Sequence, residues 1–206
     1  MIGYYNYTTI LTYLSLLSAL LGTHAAFCGY YVNALICLLF CGMFDSFDGI
    51  VARTKKDRTE EEKKFGIQID SLVDMYSFGI FPVIIGYSMG LTSPLWFCVM
   101  ALYSICAVSR LGYFNVVEEM RQQQTTEKRK YYQGLPVTMA SGIFPLIYLL
   151  SRWTSFENMV YIYGSVLAIV AVAFVVDFKV VKPGLKGVLG LVVIGLFILI
   201  GLMSLS

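Results

Sequence analysis

Long apolar runs separated by short polar stretches leave this chain few folds to choose from. Seven can be marked, at about residues 8–27, 31–53, 62–89, 93–117, 135–150, 158–176 and 185–203. A helix of about 20 apolar residues crosses the ~30 Å hydrocarbon layer of a bilayer. Inside that layer a helix satisfies its own backbone N–H and C=O groups. The sequence therefore predicts an all-α fold, a polytopic membrane bundle of about seven transmembrane helices. It is read as a single domain over 1–206, with a core near 8–176 and an extra C-terminal helix at 185–203. Hydrophobic residues make up 58% of the chain and mean hydropathy is +0.73, outside the range of soluble domains. The first run lacks the basic n-region of a signal peptide and is long enough to span, so it is expected to be retained. Pro82, a few residues beyond Gly79, predicts a kink in the third helix. Ser93-Pro94 predicts a capped start to the fourth.

The position of the charges sets the orientation. Net charge is only +2, too little to suggest nucleic-acid binding. With seven spans, the loops at 53–64, 110–130 and 177–187 fall on one side, and they hold every lysine and arginine except Arg152. The positive-inside rule makes that side cytoplasmic, and with it the N-terminus. The five cysteines lie in apolar stretches without a C-x-x-C pair and read as small buried hydrophobes. His24, alone in an apolar helix, reads as a packed or pore-facing residue rather than a metal ligand.

The segment 45–74, DSFDGIVARTKKDRTEEEKKFGIQIDSLVD, breaks the apolar pattern. On a helix, Asp45, Asp48, Gly49 and Ala52 share one face. Gly66, Asp70 and Asp74 do the same on the next helix. Because these helices form a hairpin, both carboxylate pairs lie at one membrane surface, the cytoplasmic one. Four carboxylates around one cavity repel each other unless cations sit among them. With oxygen donors only, the suited ions are Mg²⁺ or Mn²⁺ rather than Zn²⁺. Glycine inside a helix costs about 1 kcal/mol against alanine, so Gly49 and Gly66 suggest that a bulky ligand approaches the backbone.

Read in order, these residues form Asp-x-x-Asp-Gly-x-x-Ala-Arg followed by Gly-x-x-x-Asp-x-x-x-Asp. The pattern resembles the signature of the CDP-alcohol phosphotransferase family. The one departure is the spacer between Arg53 and Gly66, about a helical turn longer than the family's; its charged, helix-favouring content predicts an extended helix end. The resemblance implies transfer of a phosphatidyl group from CDP-diacylglycerol to an alcohol, with release of CMP. It also implies that Asp45, Asp48, Asp70 and Asp74 hold two divalent ions, with Asp74 serving in addition as general base. Gly49, Ala52, Arg53 and Gly66 would take the nucleotide and its phosphates, and the family suggests a homodimer. The site would face the cytoplasm from the plasma membrane, its lipid substrate held in the bilayer.

The acceptor is read from the fourth helix and the stretch after it. SRLGYFNV (109–116) and YYQGLPVT (131–138) resemble the phosphatidylserine synthase branch of the family. On that resemblance the acceptor is serine, with Arg110 available for its carboxylate and Asn115 as a polar neighbour. Tyr113 stands where the branch commonly carries a second arginine. Gly134-Leu135-Pro136 reads equally as substrate contact or as loop-to-helix punctuation. Glycerol phosphate, inositol phosphate or inositol are the rival acceptors. A cation transporter is the rival from another class, but it calls for acidic residues at several depths, and these lie near one surface.

Overall fold

The computed structural model describes residues 3, 4, 6–52, 54, 55, 57–124, 131–181 and 185–205. After a 3₁₀ turn at Tyr7–Thr9 come α1 (Ile10–Phe27), α2 (Tyr31–Ala52) and α3 (Glu60–Asp74). A π-helical segment, Met75–Ile80, joins α3 to α4 (Phe81–Met89). Then follow α5 (Pro94–Gln124), α6 (Ala140–Tyr148), α7 (Phe156–Val175) and α8 (Leu185–Met203). Among the described residues, five helical stretches are long and apolar enough to cross a membrane: Tyr7–Phe27, Tyr31–Ala52, Glu60–Met89, Pro94–Arg121 and Phe156–Val175. Val137–Arg152 and Gly190–Met203 are shorter apolar helices. Large apolar side chains such as Leu21, Phe97, Ile105, Ile169 and Phe197 stay exposed on the outer surface. So broad an apolar exterior suits lipid, not water. The protein is an all-α membrane bundle.

Just before Pro82, where the sequence predicts a kink, the third helix carries the π segment. Pro82 has no N–H to give Phe78 O, four residues back. The Tyr103 hydroxyl donates to that carbonyl instead, at 2.7 Å, and the Ser104 hydroxyl donates to Gly79 O at 3.1 Å. Tyr163 donates to Pro82 O at 3.0 Å. Tyr103, Tyr163, Phe78 and Phe81 are fully buried, so these bonds satisfy both the phenols and the disturbed helix inside the apolar core.

Several details differ from the sequence expectations. The spacer is helical only from Glu60 onward. Before it lies a loop, closed by a capping box in which Glu62 N donates to Thr59 Oγ1 and Thr59 N donates to Glu62 Oε2. Helix α5 runs past 117 to Gln124, its polar end braced by an Arg121–Glu118 ion pair at 2.6 Å. A small antiparallel ladder, β1 (Tyr131–Gln133) with β2 (Lys179–Val181), interrupts the helical pattern, pairing Tyr131 with Val181 and Gln133 with Lys179. It ties together two of the three basic loops. Of the cysteines only Cys41 and Cys106 are buried, Cys37 is half-buried, and Cys28 and Cys98 are exposed. His24 is exposed in the last turn of α1, 3.7 Å from Cys28 Sγ, rather than packed.

Candidate active site

The carboxylates come from α2 and α3, both of which pack against α1. Asp45, Asp70 and Asp74 each offer an oxygen within 4.8 Å of the others'. Asp48 lies outside this trio but touches Asp70, so both stripes meet as expected. The Thr12 hydroxyl of α1 donates to Asp48 Oδ2 at 3.4 Å. Asp70 Oδ1 is buried and has no hydrogen-bond partner among the described residues. Clustered carboxylates, one with an orphaned buried oxygen and none with a described ion pair, form a donor set that fits hard divalent cations. Asp74 is 8% exposed, at the last α-helical position before the π segment. Ser77 and Phe78, next along the chain, are fully buried.

The nucleotide residues expected from sequence flank this cluster. A side chain added at Gly49 would meet no atom within 4 Å, so the space over that backbone is open. At Gly66 the space is taken: a Cβ there would lie 2.8 Å from Arg58 Nη2. Ala52 closes α2, and its carbonyl accepts from Arg58 Nη1 at 3.2 Å. Arg53 lies outside the described residues, as do Lys128, Arg129 and Lys130.

The acceptor residues sit on α5. Ala107 packs on Gly79 of the π segment, and Tyr103, Ala107 and Arg110 share one face. Arg110 is 6% exposed, with its guanidinium 5.5 Å from the centre of the Phe114 ring. Asn115 Nδ2 donates to Ser71 Oγ at 2.8 Å, between Asp70 and Asp74 in the chain. Tyr113 donates to Gln133 Oε1 at 2.9 Å. Gly134 has φ of +69°, and its N–H donates to Phe178 O at 2.8 Å. A Cβ there would lie 3.0 Å from Phe174 O, so the glycine is required by the turn and its packing on the end of α7. That supports the punctuation reading of Gly134-Leu135-Pro136.

Residues 5–182 match the family model described as CDP-alcohol phosphatidyltransferase. This chain belongs to that family. Among the curated relatives of this CDP-alcohol phosphatidyltransferase family member is the CDP-diacylglycerol–serine O-phosphatidyltransferase of Saccharomyces cerevisiae. It is 30% identical over 133 residues, 63% of this chain and 47% of the yeast protein. The Bacillus subtilis protein of the same name is 32% identical over 112 residues, 53% of this chain and 56% of its own. The archaetidylserine synthase of Methanothermobacter thermautotrophicus is 34% identical over 138 residues, 66% of this chain and 52% of its own. The matches span about half the length of these relatives.

Sequence reading missed Thr12, Ser71, Arg58 and Gln133. Thr12 carried a signal, since Thr8, Thr12 and Ser15 place buried hydroxyls on one face of an apolar helix. Arg58 was read only as one of several loop bases.

Proposed function

We propose that this protein transfers a phosphatidyl group from CDP-diacylglycerol to the hydroxyl of serine, giving phosphatidylserine and CMP. The observation that carries the reaction class is the convergence of Asp45, Asp48, Asp70 and Asp74 beside the Gly49–Ala52 and Gly66 backbone at one end of an apolar bundle. The acceptor rests on the names of the relatives, together with the buried Arg110 on the α5 face toward the π segment. Asp45, Asp48, Asp70 and Asp74 are the residues that would hold two divalent cations, Mg²⁺ or Mn²⁺. Bound there, such ions would supply positive charge to offset that of the departing CMP and Lewis acidity toward the phosphoryl group.

The protein's own groups do the rest. Asp74, at the end of its stripe, takes the proton from the serine hydroxyl as the oxygen attacks phosphorus. Arg110 pairs with the serine carboxylate, and Asn115, held by Ser71, keeps the acceptor side in register with α3. Gly49, Ala52, Arg53 and Gly66 take the nucleotide, while the apolar helix surfaces hold the acyl chains in the bilayer.

The same reading makes the chain one domain with seven crossings, α8 being added to the family core. The N-terminus and the site face the cytoplasm at the plasma membrane, and the protein works as a homodimer. The sidedness is supported by the clustering of bases and by the β1–β2 ladder, which joins two basic loops at one end. Purified protein supplied with CDP-diacylglycerol and offered serine, glycerol phosphate, inositol phosphate and inositol tests the assignment. CMP release is expected with serine. Release with another acceptor and not serine overturns the acceptor, and no release with any of them overturns the reaction.

A further inference from the structure

The lengthened spacer places a cation against the backbone where the nucleotide is expected. Arg58 Nη2 lies over Gly66, Nη1 donates to Ala52 O at 3.2 Å, and Nη2 reaches Glu62 O at 3.5 Å. Nε is shut away from solvent without a partner among the described residues. Among the described residues Arg58 therefore hydrogen-bonds to neutral carbonyls, at 3.2 and 3.5 Å. The adjacent carboxylate is engaged elsewhere, since Glu62 accepts from Lys55 Nζ at 2.7 Å, from Asn6 Nδ2 at 3.3 Å and from Thr59 N at 3.1 Å. These contacts, with the Tyr7–Thr54 hydroxyl pair at 3.0 Å, pin the loop on both sides of Arg58. The side chain is then the part left to move.

Resting on the proposed function, we propose that Arg58 is a substrate-binding residue for the diphosphate of the CDP-linked lipid. A cytidine that settles on Gly66 must displace the guanidinium. One turn along α3 from Gly66 is Asp70, so a diphosphate bridging toward the carboxylates passes within the reach of the displaced side chain. A guanidinium gains far more from bidentate pairing with phosphate oxygens than from two stretched carbonyl bonds. Arg58 so exchanges the cradle for the diphosphate. In the free protein its bond to Ala52 O caps the last carbonyl of α2 until the substrate arrives.

Calorimetric titration of the purified full-length protein in Mn²⁺ with CDP, and separately with cytidine, tests this. Arg58→Ala is expected to weaken CDP binding about ten- to a hundredfold. Cytidine binding should not fall, and the apparent KM for serine should hold. Arg58→Lys should recover part of the loss. Unchanged CDP affinity in a wild-type-like folded variant overturns the proposal alone, as does an equal loss for CDP and cytidine, which marks a purely structural cap. If Arg58→Ala does not yield monodisperse protein, Arg58→Gln, which keeps a donor for Ala52 O but no charge, is read by the same criteria. Failure of the wild-type protein to bind CDP overturns the nucleotide site itself, and the proposal with it.

Discussion

The donor side and the acceptor side of this site are built in different ways. On the donor side, chemistry-bearing residues recur at helical spacing on two consecutive helices, α2 and α3, which both pack against α1. On the acceptor side, Arg110 and Asn115 come from one helix, and the groups they work with come from elsewhere: Ser71 of α3, and Gln133, through Tyr113, from the ladder that α7 helps to position. The first arrangement is fixed by local periodicity. The second depends on how distant segments dock. Substitutions should therefore differ in kind, abolishing reaction on the donor side and changing acceptor affinity on the other.

The largest effect belongs to Asp70→Asn. It removes charge from the buried oxygen set while keeping the side chain's shape, and metal-borne charge stabilisation is worth several kcal/mol, about three orders of magnitude or more in rate. Transfer should be lost while the protein remains folded in the membrane. Chelation should have the same effect, reversed by Mg²⁺ or Mn²⁺. Full turnover after exhaustive chelation would remove the contrast between the two sides altogether.

Asp74→Asn comes next and sharpens the donor side from within. If Asp74 is the base, the variant loses transfer by about two to four orders of magnitude. Equilibrium binding of CDP-diacylglycerol, and much of the metal binding, should survive. Equal loss of binding and turnover would leave Asp74 a ligand only, without the role of base.

How much of this was legible follows the same division. The Asp45, Asp48, Asp70 and Asp74 stripes could be read because a helix repeats every 3.6 residues and a hairpin leaves one way to pair two faces. A break in the regular helix near Pro82 was legible too, but its form was not. A π segment depends on Tyr103 and Ser104 reaching it from α5, and no local pattern encodes that. The same limit hid the ladder, whose three-residue strands are too short to show alternation and pair across roughly fifty residues of chain. Helical propensity in TKKDRTEEEKKF suggested a longer helix than forms. The capping box at Thr59 outweighs it, leaving Arg58 in a loop where it can fold back onto Ala52 and Gly66.

On the acceptor side Arg110→Ala should raise the apparent KM for serine about ten- to a hundredfold, the worth of a charge-assisted bond. Nucleotide affinity should be spared. Because Arg110 is buried, Arg110→Lys is the companion variant, keeping the charge while altering the fork geometry. Serine kinetics untouched by both would misplace the acceptor pocket.

The smallest effect is expected at Tyr113, and it separates two explanations of why an arginine is dispensable there. Tyr113 is exposed, and its hydroxyl bonds to Gln133, next to the turn at Gly134 that hydrogen-bonds to Phe178. If the residue only steadies that turn, Tyr113→Phe removes one solvent-exposed hydrogen bond, worth about 1 kcal/mol or less. Serine KM should then change by about fivefold at most, with kcat unchanged. Tyr113→Arg should not tighten serine binding either, because on this account Arg110 already supplies the carboxylate's partner. If Tyr113→Phe instead raises serine KM as much as Arg110→Ala does, the hydroxyl touches the acceptor directly. Serine is then held from two segments of the chain rather than by one buried arginine, and the contrast between donor and acceptor sides narrows accordingly.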